Sequence, residues 1–285
     1  MPGREPEPTS TAPAAALPHQ RARGSLRLSF KRRDDATVLD GLRQEGCLKA
    51  RFPRTEHGAW PGAVTLNTAG GVAGGDVLDS SIGAGPGARA TVASQAAERF
   101  YRALPGSAPA TVTTRLHVAP GAALEWLPQE SILFDGCAVR RRLLVDLADD
   151  AWFLGVESLV FGRLAMGETV RDARFRDLIE LRRGGRLLLH DAIRLDGPVQ
   201  AALDRRATGG GARAMATLVH AAPDAPARLD PLRAALAGWD AGASAWDGML
   251  VARVAAADGA CLRRAVVAGL NVLRDGRPLP RVWEC

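Results

Sequence analysis

A chain of 285 residues with 47% hydrophobic and 24% charged side chains can bury a sizeable core, as one large domain or two modest ones. No apolar run approaches the roughly 18 residues that span a bilayer, and the Pro- and Ala-rich start has no apolar signal-peptide centre; a cytoplasmic protein with no membrane partner is expected. The formal charge of +6 rests on arginine, since Lys31 and Lys49 are the only lysines, and with 5% aromatics and one tyrosine, Tyr101, stacking platforms are missing; an acidic protein partner is expected and nucleic acid is not.

Residues 1–23 read as a disordered tail. From Gly24 to Gly197 short alternating runs dominate, the texture of a layered β body. Thr111 to Val118, the turn residues Pro120-Gly121, and Ala123 to Leu127 predict a β-hairpin. Val139 to Leu147 and Trp152 to Phe161 predict a second strand pair through Asp149-Asp150. Phe175 to Leu181 and Arg186 to Leu195 predict a third through Arg183-Gly184-Gly185. Trp152-Phe153-Leu154 is apolar at consecutive positions, so both faces of that strand are covered and the sheets must be stacked. One helix is expected inside the body, over Gln95 to Leu104.

Residues 198–285 change to α/β texture. Ala207 to Gly211 reads as a flexible loop, and Met215 to Val219 and Met249 to Ala256 as strands. Pro231 to Trp239 reads as a helix capped by Asp230, and Asp258 to Leu273 as a helix with Leu262, Val266, Leu270 and Leu273 on one stripe. No internal sequence repeat is visible. The fold class expected is mainly β, with stacked, β-helix-like layers and a smaller α/β C-terminal part packed on them.

Gly70-Gly71-Val72-Ala73-Gly74-Gly75-Asp76 has the glycines of a phosphate loop but neither the lysine nor the hydroxyl residue that should follow, and Asp76 would repel phosphate. A sharp turn with glycines at positive φ is the stronger reading; Asp76 either caps it or offers a carboxylate to a cation. The five histidines, His19, His57, His117, His190 and His220, show no metal-ligand spacing, and Cys47, Cys137, Cys261 and Cys285 form no CxxC pair. Cys285 alone could offer a terminal thiol to a soft metal. Ser94, Ser131 and Ser158 lack a nucleophile elbow.

The carboxylates carry more information. Glu125, Glu130, Glu157 and Glu168 sit in or beside apolar runs, where an unpaired carboxylate costs several kcal/mol, of the order of a buried charge. Each needs an arginine, with Arg163 and Arg99 as candidates, or else a hydrated passage or a cation.

Taken in order, Asn67-Thr68-Ala69-Gly70-Gly71 with Gly74-Gly75-Asp76, Gln95 to Arg102, Leu124 to Glu130, Gly162-Arg163 with Gly167-Glu168, and Pro280-Arg281-Val282-Trp283 resemble the urease accessory protein family UreD, called UreH in some organisms. The resemblance spans roughly Gly24 to Trp283; Ala69 stands where some members have proline. It implies a non-enzymatic scaffold that binds urease apoprotein and UreF, with the GTPase UreG joining through UreF. It also implies a water-filled tunnel that passes nickel in transit, with no cofactor tightly bound. A passage of scattered carboxylates would hold a divalent ion weakly, where clustered His and Cys would trap it. Asp76, Glu125, Glu130, Glu157 and Glu168 are the candidates for its acidic wall. The alternative is a carboxylate-based hydrolase, which needs two carboxyl groups about 5–10 Å apart in an open cleft.

Overall fold

The computed structural model describes residues 20–284; the expected tail up to His19, and Cys285, lie outside them. The first strands are β1 (Arg23–Arg33), β2 (Ala36–Gly46), β3 (Leu48–Arg51), β4 (Gly62–Asn67), β5 (Val77–Ala84) and β6 (Arg89–Ser94). Next come β7 (Glu98–Phe100), β8 (Ala110–Val118), β9 (Ala123–Leu127), β10 (Ser131–Leu133), β11 (Ala138–Leu147) and β12 (Trp152–Phe161). The hairpin β13 (Ala173–Arg183) and β14 (Arg186–Gly197) is followed by α1 (Val199–Asp204), β15 (Ala214–Ala221), α2 (Leu229–Ala235), β16 (Asp240–Trp246), β17 (Met249–Ala256) and α3 (Gly259–Leu273).

These elements form three layers. An outer sheet of seven strands runs β14-β13-β11-β8-β5-β1-β2. A central sheet of ten runs β16-β17-β15-β12-β9-β6-β4-β3, with β7 and β10 branching from it. Helices α2 and α3 cover the far face of the central sheet, against β15, β16 and β17. The fold is mainly β with its helices concentrated after Gly197, as the texture of the sequence predicts.

The chain winds between the two sheets in a β-helix-like way. Strands β5, β8 and β11 stack in parallel in the outer sheet, while β6, β9 and β12 stack in parallel in the central one. Each strand-corner-strand unit is one rung. The corners stack as well: the Ala119 N–H donates to the Ala84 carbonyl at 2.9 Å, and the Ala148 N–H donates to the Val118 carbonyl at 2.9 Å. Gly87 and Gly121 turn these corners at φ 67° and 64°. The expected hairpin at Pro120-Gly121 is therefore a corner joining two sheets, and so is the link at Asp149-Asp150. Only the third expected pair, β13 with β14, is a true antiparallel hairpin.

Two helix expectations need correction. Gln95 to Leu104 holds no helix; Glu98–Phe100 is a short strand pairing in parallel with β10. Its Glu98 N–H donates to Glu130 O at 2.9 Å and Phe100 is buried, so pairing and burial override the helix propensity of Ala, Glu and Arg. Helix α2 covers Leu229–Ala235, with Asp230 in its first turn rather than at the cap. Helix α3 begins as expected: Asp258 accepts from the Cys261 N–H at 2.7 Å, which lowers the pKa of its carboxyl.

Three apolar clusters hold the layers. One lies between the central sheet and the helices, built on Leu154, Leu218, Leu250, Leu262 and Leu270. Two lie between the sheets: one around Ile82, Leu116, Leu143, Phe153 and Leu181, the other around Leu26, Phe100, Val139, Phe161 and Phe175. Each fully buried side chain of this kind is worth about 1.5–3 kcal/mol. The intersheet core is thus split in two, and polar residues fill the division.

Candidate functional site in the polar seam

The seam arises because inward-facing positions on successive strands switch from apolar to polar at the same depth. On the outer sheet Ser80 lies between Leu78 and Ile82, Thr114 between Val112 and Leu116, and Arg141 between Val139 and Leu143. Asp177 lies between Phe175 and Ile179, and Asp191 between Leu189 and Ile193. The central sheet answers with Glu157, Thr217 and Arg253 in register across β12, β15 and β17. Pairing at β11–β13 sets Arg141 directly beside Asp177.

Arg141 is the centre. Its Nε donates to Asp177 Oδ1 at 2.8 Å and its Nη2 to Oδ2 at 2.5 Å. Its Nη1 lies 2.7 Å from Glu157 Oε2 and donates to Ser131 Oγ at 2.8 Å. The Trp126 indole N–H donates to Glu157 Oε1 at 2.8 Å. Two buried carboxylates therefore share one guanidinium. Desolvation pushes the Glu157 carboxyl above the ordinary carboxylate range, Arg141 pulls it back, and Asp177 adds to the rise. Desolvation also works against the charge of Arg141, but Asp177 and Glu157 overrule it and hold the guanidinium protonated.

Three spaces follow one another along the seam. A cavity of about 240 Å³ is lined by Asn67, Ser94, Glu98, Gln129, Arg141 and Glu157. The next, about 10 Å³ and room for roughly one water, is enclosed by Arg141, Glu157, Asp177, Asp191 and Thr217. The third, about 300 Å³, shares Ile193, Met215 and Thr217 with it and reaches Asp240 and Arg253 at the β16 edge. At one end Glu98 is half-buried and accepts from Asn67 Nδ2 at 3.2 and 3.1 Å; it has no ion pair among the described residues. Burial raises its carboxyl pKa, against the Asn67 and Arg99 N–H bonds. At the other end Arg253 lies 2.5 Å from Asp191. The carboxylates Glu98, Glu157, Asp177 and Asp191 thus outnumber the paired cations Arg141 and Arg253.

Of the five acidic-wall candidates, Glu157 alone stands in this seam. Asp76 caps the glycine loop, accepting from the Ala73 and Ala22 N–H groups at 2.8 Å each. That loop is a turn with Gly70, Gly71 and Gly75 at φ 76°, 143° and 89°. A Cβ on Gly71 would come within 2.3 Å of the Tyr101 ring. Glu125 points to the helical side, where Arg274 donates to it from Nε and Nη2, at 2.9 and 3.0 Å. Arg277 adds a contact at 3.0 Å and the Thr91 hydroxyl one at 2.5 Å. Glu130 pairs with Arg263 at 3.2 Å and Glu168 with Arg163 at 2.6 Å, while Arg99 forms no ion pair among the described residues. The five are not gathered, and no group of three or more His, Cys, Asp or Glu among the described residues is placed to hold a metal. Cys137 is buried, its thiol pKa pushed up to about 12 by desolvation.

Asp177, Asp191, Arg141 and Glu98 escape the sequence reading as site residues. Parity could have found three of them, because each charge falls on the inward beat set by apolar residues two positions away. Glu157 and Asp177 share one arginine between the two sheets, unlike the paired carboxyl groups in an open cleft that a hydrolase needs.

The sequence model of the family described as UreD urease accessory protein matches residues 22–284. The chain is 46% identical over 274 residues to the urease accessory protein UreD of Rhizobium leguminosarum bv. viciae, a match covering 96% of this chain and 99% of the relative. To the protein of that name from Dinoroseobacter shibae it is 47% identical over 282 residues, 98% of each. To that of a Methylobacterium species it is 49% identical over 256 residues, 87% of this chain and 89% of the relative. The segment matched by the family model takes in the glycine loop, the seam and the Glu125 cluster together. The chain belongs to the UreD family, non-catalytic accessory proteins of urease maturation.

Proposed function

We propose that this chain is a cytoplasmic scaffold linking urease apoprotein to an accessory complex of UreF and the GTPase UreG, and that its polar seam passes nickel between them. The observation that carries the reading is the row of carboxylates Glu98, Glu157, Asp177 and Asp191, of which only the last three are ion-paired, running from one end of the sandwich to the other. Nickel is cargo here, not a resident cofactor. Carboxylates, hydroxyls and water hold a borderline cation loosely, so an ion entering such a seam is attracted by charge and still free to leave.

The named groups divide the work. Glu98, which forms no ion pair among the described residues, favours entry at its end of the seam. Arg141 forms the constriction, and an incoming dication competes with its guanidinium for Glu157 and Asp177. Asp191 and Thr217 continue the path toward the far end. Asp76, Glu125, Glu130 and Glu168 are assigned to caps and arginine joints instead.

The test is co-expression of the chain with its urease operon, reading urease activity and nickel per active site. Omitting the chain should abolish nickel loading. Glu157→Gln should leave complex assembly intact and lower nickel delivery by about tenfold, the scale on which groups around a metal path act. Unimpaired delivery by Glu157→Gln would leave a docking scaffold without an ion path.

A further inference from the structure

On the outer face of the outer sheet, arginines stand abreast. Arg140 of β11 is in register with Arg176 of β13, and Arg176 with Arg194 of β14. Arg142 and Arg174 share that face on the same strands, and all five are exposed. Directly opposed side chains have Cβ atoms about 4.5–5.5 Å apart, and like charges so placed repel.

The surroundings do little to relieve this. Arg194 pairs with Asp196 at 3.1 Å, and Arg174 reaches the Ser107 carbonyl at 3.4 Å. Arg140, Arg142 and Arg176 have no hydrogen bond or ion pair among the described residues. Asp79 and Glu180 are taken by Arg115 and Arg182, each at 2.5 Å, and Asp146 lies farther along, opposite His117. Between the arginines Leu144 and Leu178 are half-buried and Ala192 is exposed, an apolar floor. Arginine around an apolar floor is the composition of a protein interface, and a row of one sign with so few counter-charges is not that of a face merely solvated. No Phe, Tyr or Trp of β11, β13 or β14 faces outward here, so single-stranded nucleic acid finds no stacking surface.

We infer that this face docks an acidic surface of a protein partner, whose carboxylates insert between Arg140, Arg176 and Arg194 and relieve their repulsion. The inference rests on the reading that the chain works inside a urease maturation complex, and names the surface and charge of one of its contacts.

The test is binding of the purified chain to urease apoprotein and, separately, to UreF, at low and high salt. Arg176→Glu places an acid between two arginines, so the isolated chain should melt at the same temperature or higher. Its affinity for one partner should nevertheless fall by about tenfold or more, with a flatter salt dependence, because like charges now face each other. Arg142→Glu, outside the abreast row, should show the same loss more weakly. Unchanged affinity and salt dependence for both partners in both variants overturns the docking face alone. A wild-type chain that binds neither partner overturns the scaffold reading and this inference with it. Loss of single-stranded RNA binding with both proteins still bound would assign the face to nucleic acid and overturn it too.

Discussion

Glu125 and Glu157 are enclosed carboxylates on adjacent strands of one sheet, and the protein treats them in opposite ways. Glu125 faces the helices and meets two arginines and a hydroxyl. Glu157 faces the outer sheet and shares a single arginine with Asp177. The first site has cation in excess and the second has anion in excess. Burial alone therefore does not separate the two carboxylates; the local balance of charge does. Trp126 stands at the boundary, its backbone next to Glu125 and its indole bonded to Glu157.

The largest expected effect tests the first half of that contrast. Arg274 is itself 1% exposed, and Arg274→Met would strand Glu125 with one partly buried arginine. A loss of about 3–5 kcal/mol is expected, the cost of breaking a buried pair, measured by urea unfolding. A neutral result would mean that Glu125 is not a structural joint, and the contrast would collapse.

A smaller effect sharpens the second half. The Glu157 carboxyl titrates above its ordinary 4.5 because burial disfavours its charge. Below 4.5 both folded and unfolded chains hold the proton and the site costs nothing. As pH rises, the unfolded chain releases its proton first, so stability falls up to the raised folded value and stays lower. Glu157→Gln should remove that fall, so the difference between variant and wild type shifts in favour of the variant from acid to neutral pH. A pH-independent difference would show that the seam does not strain this carboxylate.

The smallest expected effect has the opposite sign and comes from the helical side. His220 is fully buried against Trp152, its Nδ1 is 3.0 Å from the Phe153 carbonyl, and its Nε2 has no partner. Desolvation lowers its pKa below the ordinary 6.5, and Arg228 lowers it further, against the bond to Phe153 and the charges of Asp224 and Asp275. As pH falls through 6.5 the unfolded chain takes a proton that the folded chain refuses, so stability is lost. His220→Leu should flatten that limb. If acid unfolding below 6.5 is unchanged, the helical side does not carry this part of the pH response.

The strands were legible where apolar alternation was clean, as at Val139 to Leu147, and the double-sided burial of β12 followed from Trp152-Phe153-Leu154. Their pairing was not. A corner between sheets and a hairpin within one share the pattern of strand, turn residues and strand, so Pro120-Gly121 looks the same in both. The winding leaves no visible sequence repeat, because corners at Gly87, Gly121 and Asp150 are separated by strands and loops of unequal length. Strand β16, built of Ala, Gly and Ser between its ends, gives almost no periodic signal. At the site, Glu157 was visible because it interrupts an apolar strand. Asp177 and Arg141 lie among other charges, in Arg-Phe-Arg-Asp and Arg-Arg-Arg, where only parity separates inward from outward.

Arg274 lies 149 residues after the carboxylate it neutralises. At a synthesis rate of about 5–20 residues per second that gap is on the order of ten seconds. For that interval the nascent rungs carry an acid whose counter-charge does not yet exist. Until Arg274 has been made, burying Glu125 in the central layer would cost several kcal/mol, of the order of an unpaired buried charge. Docking of the helical layer is therefore expected to follow synthesis of Arg274, and a chain ending before it would hold the Glu125 carboxylate without that partner.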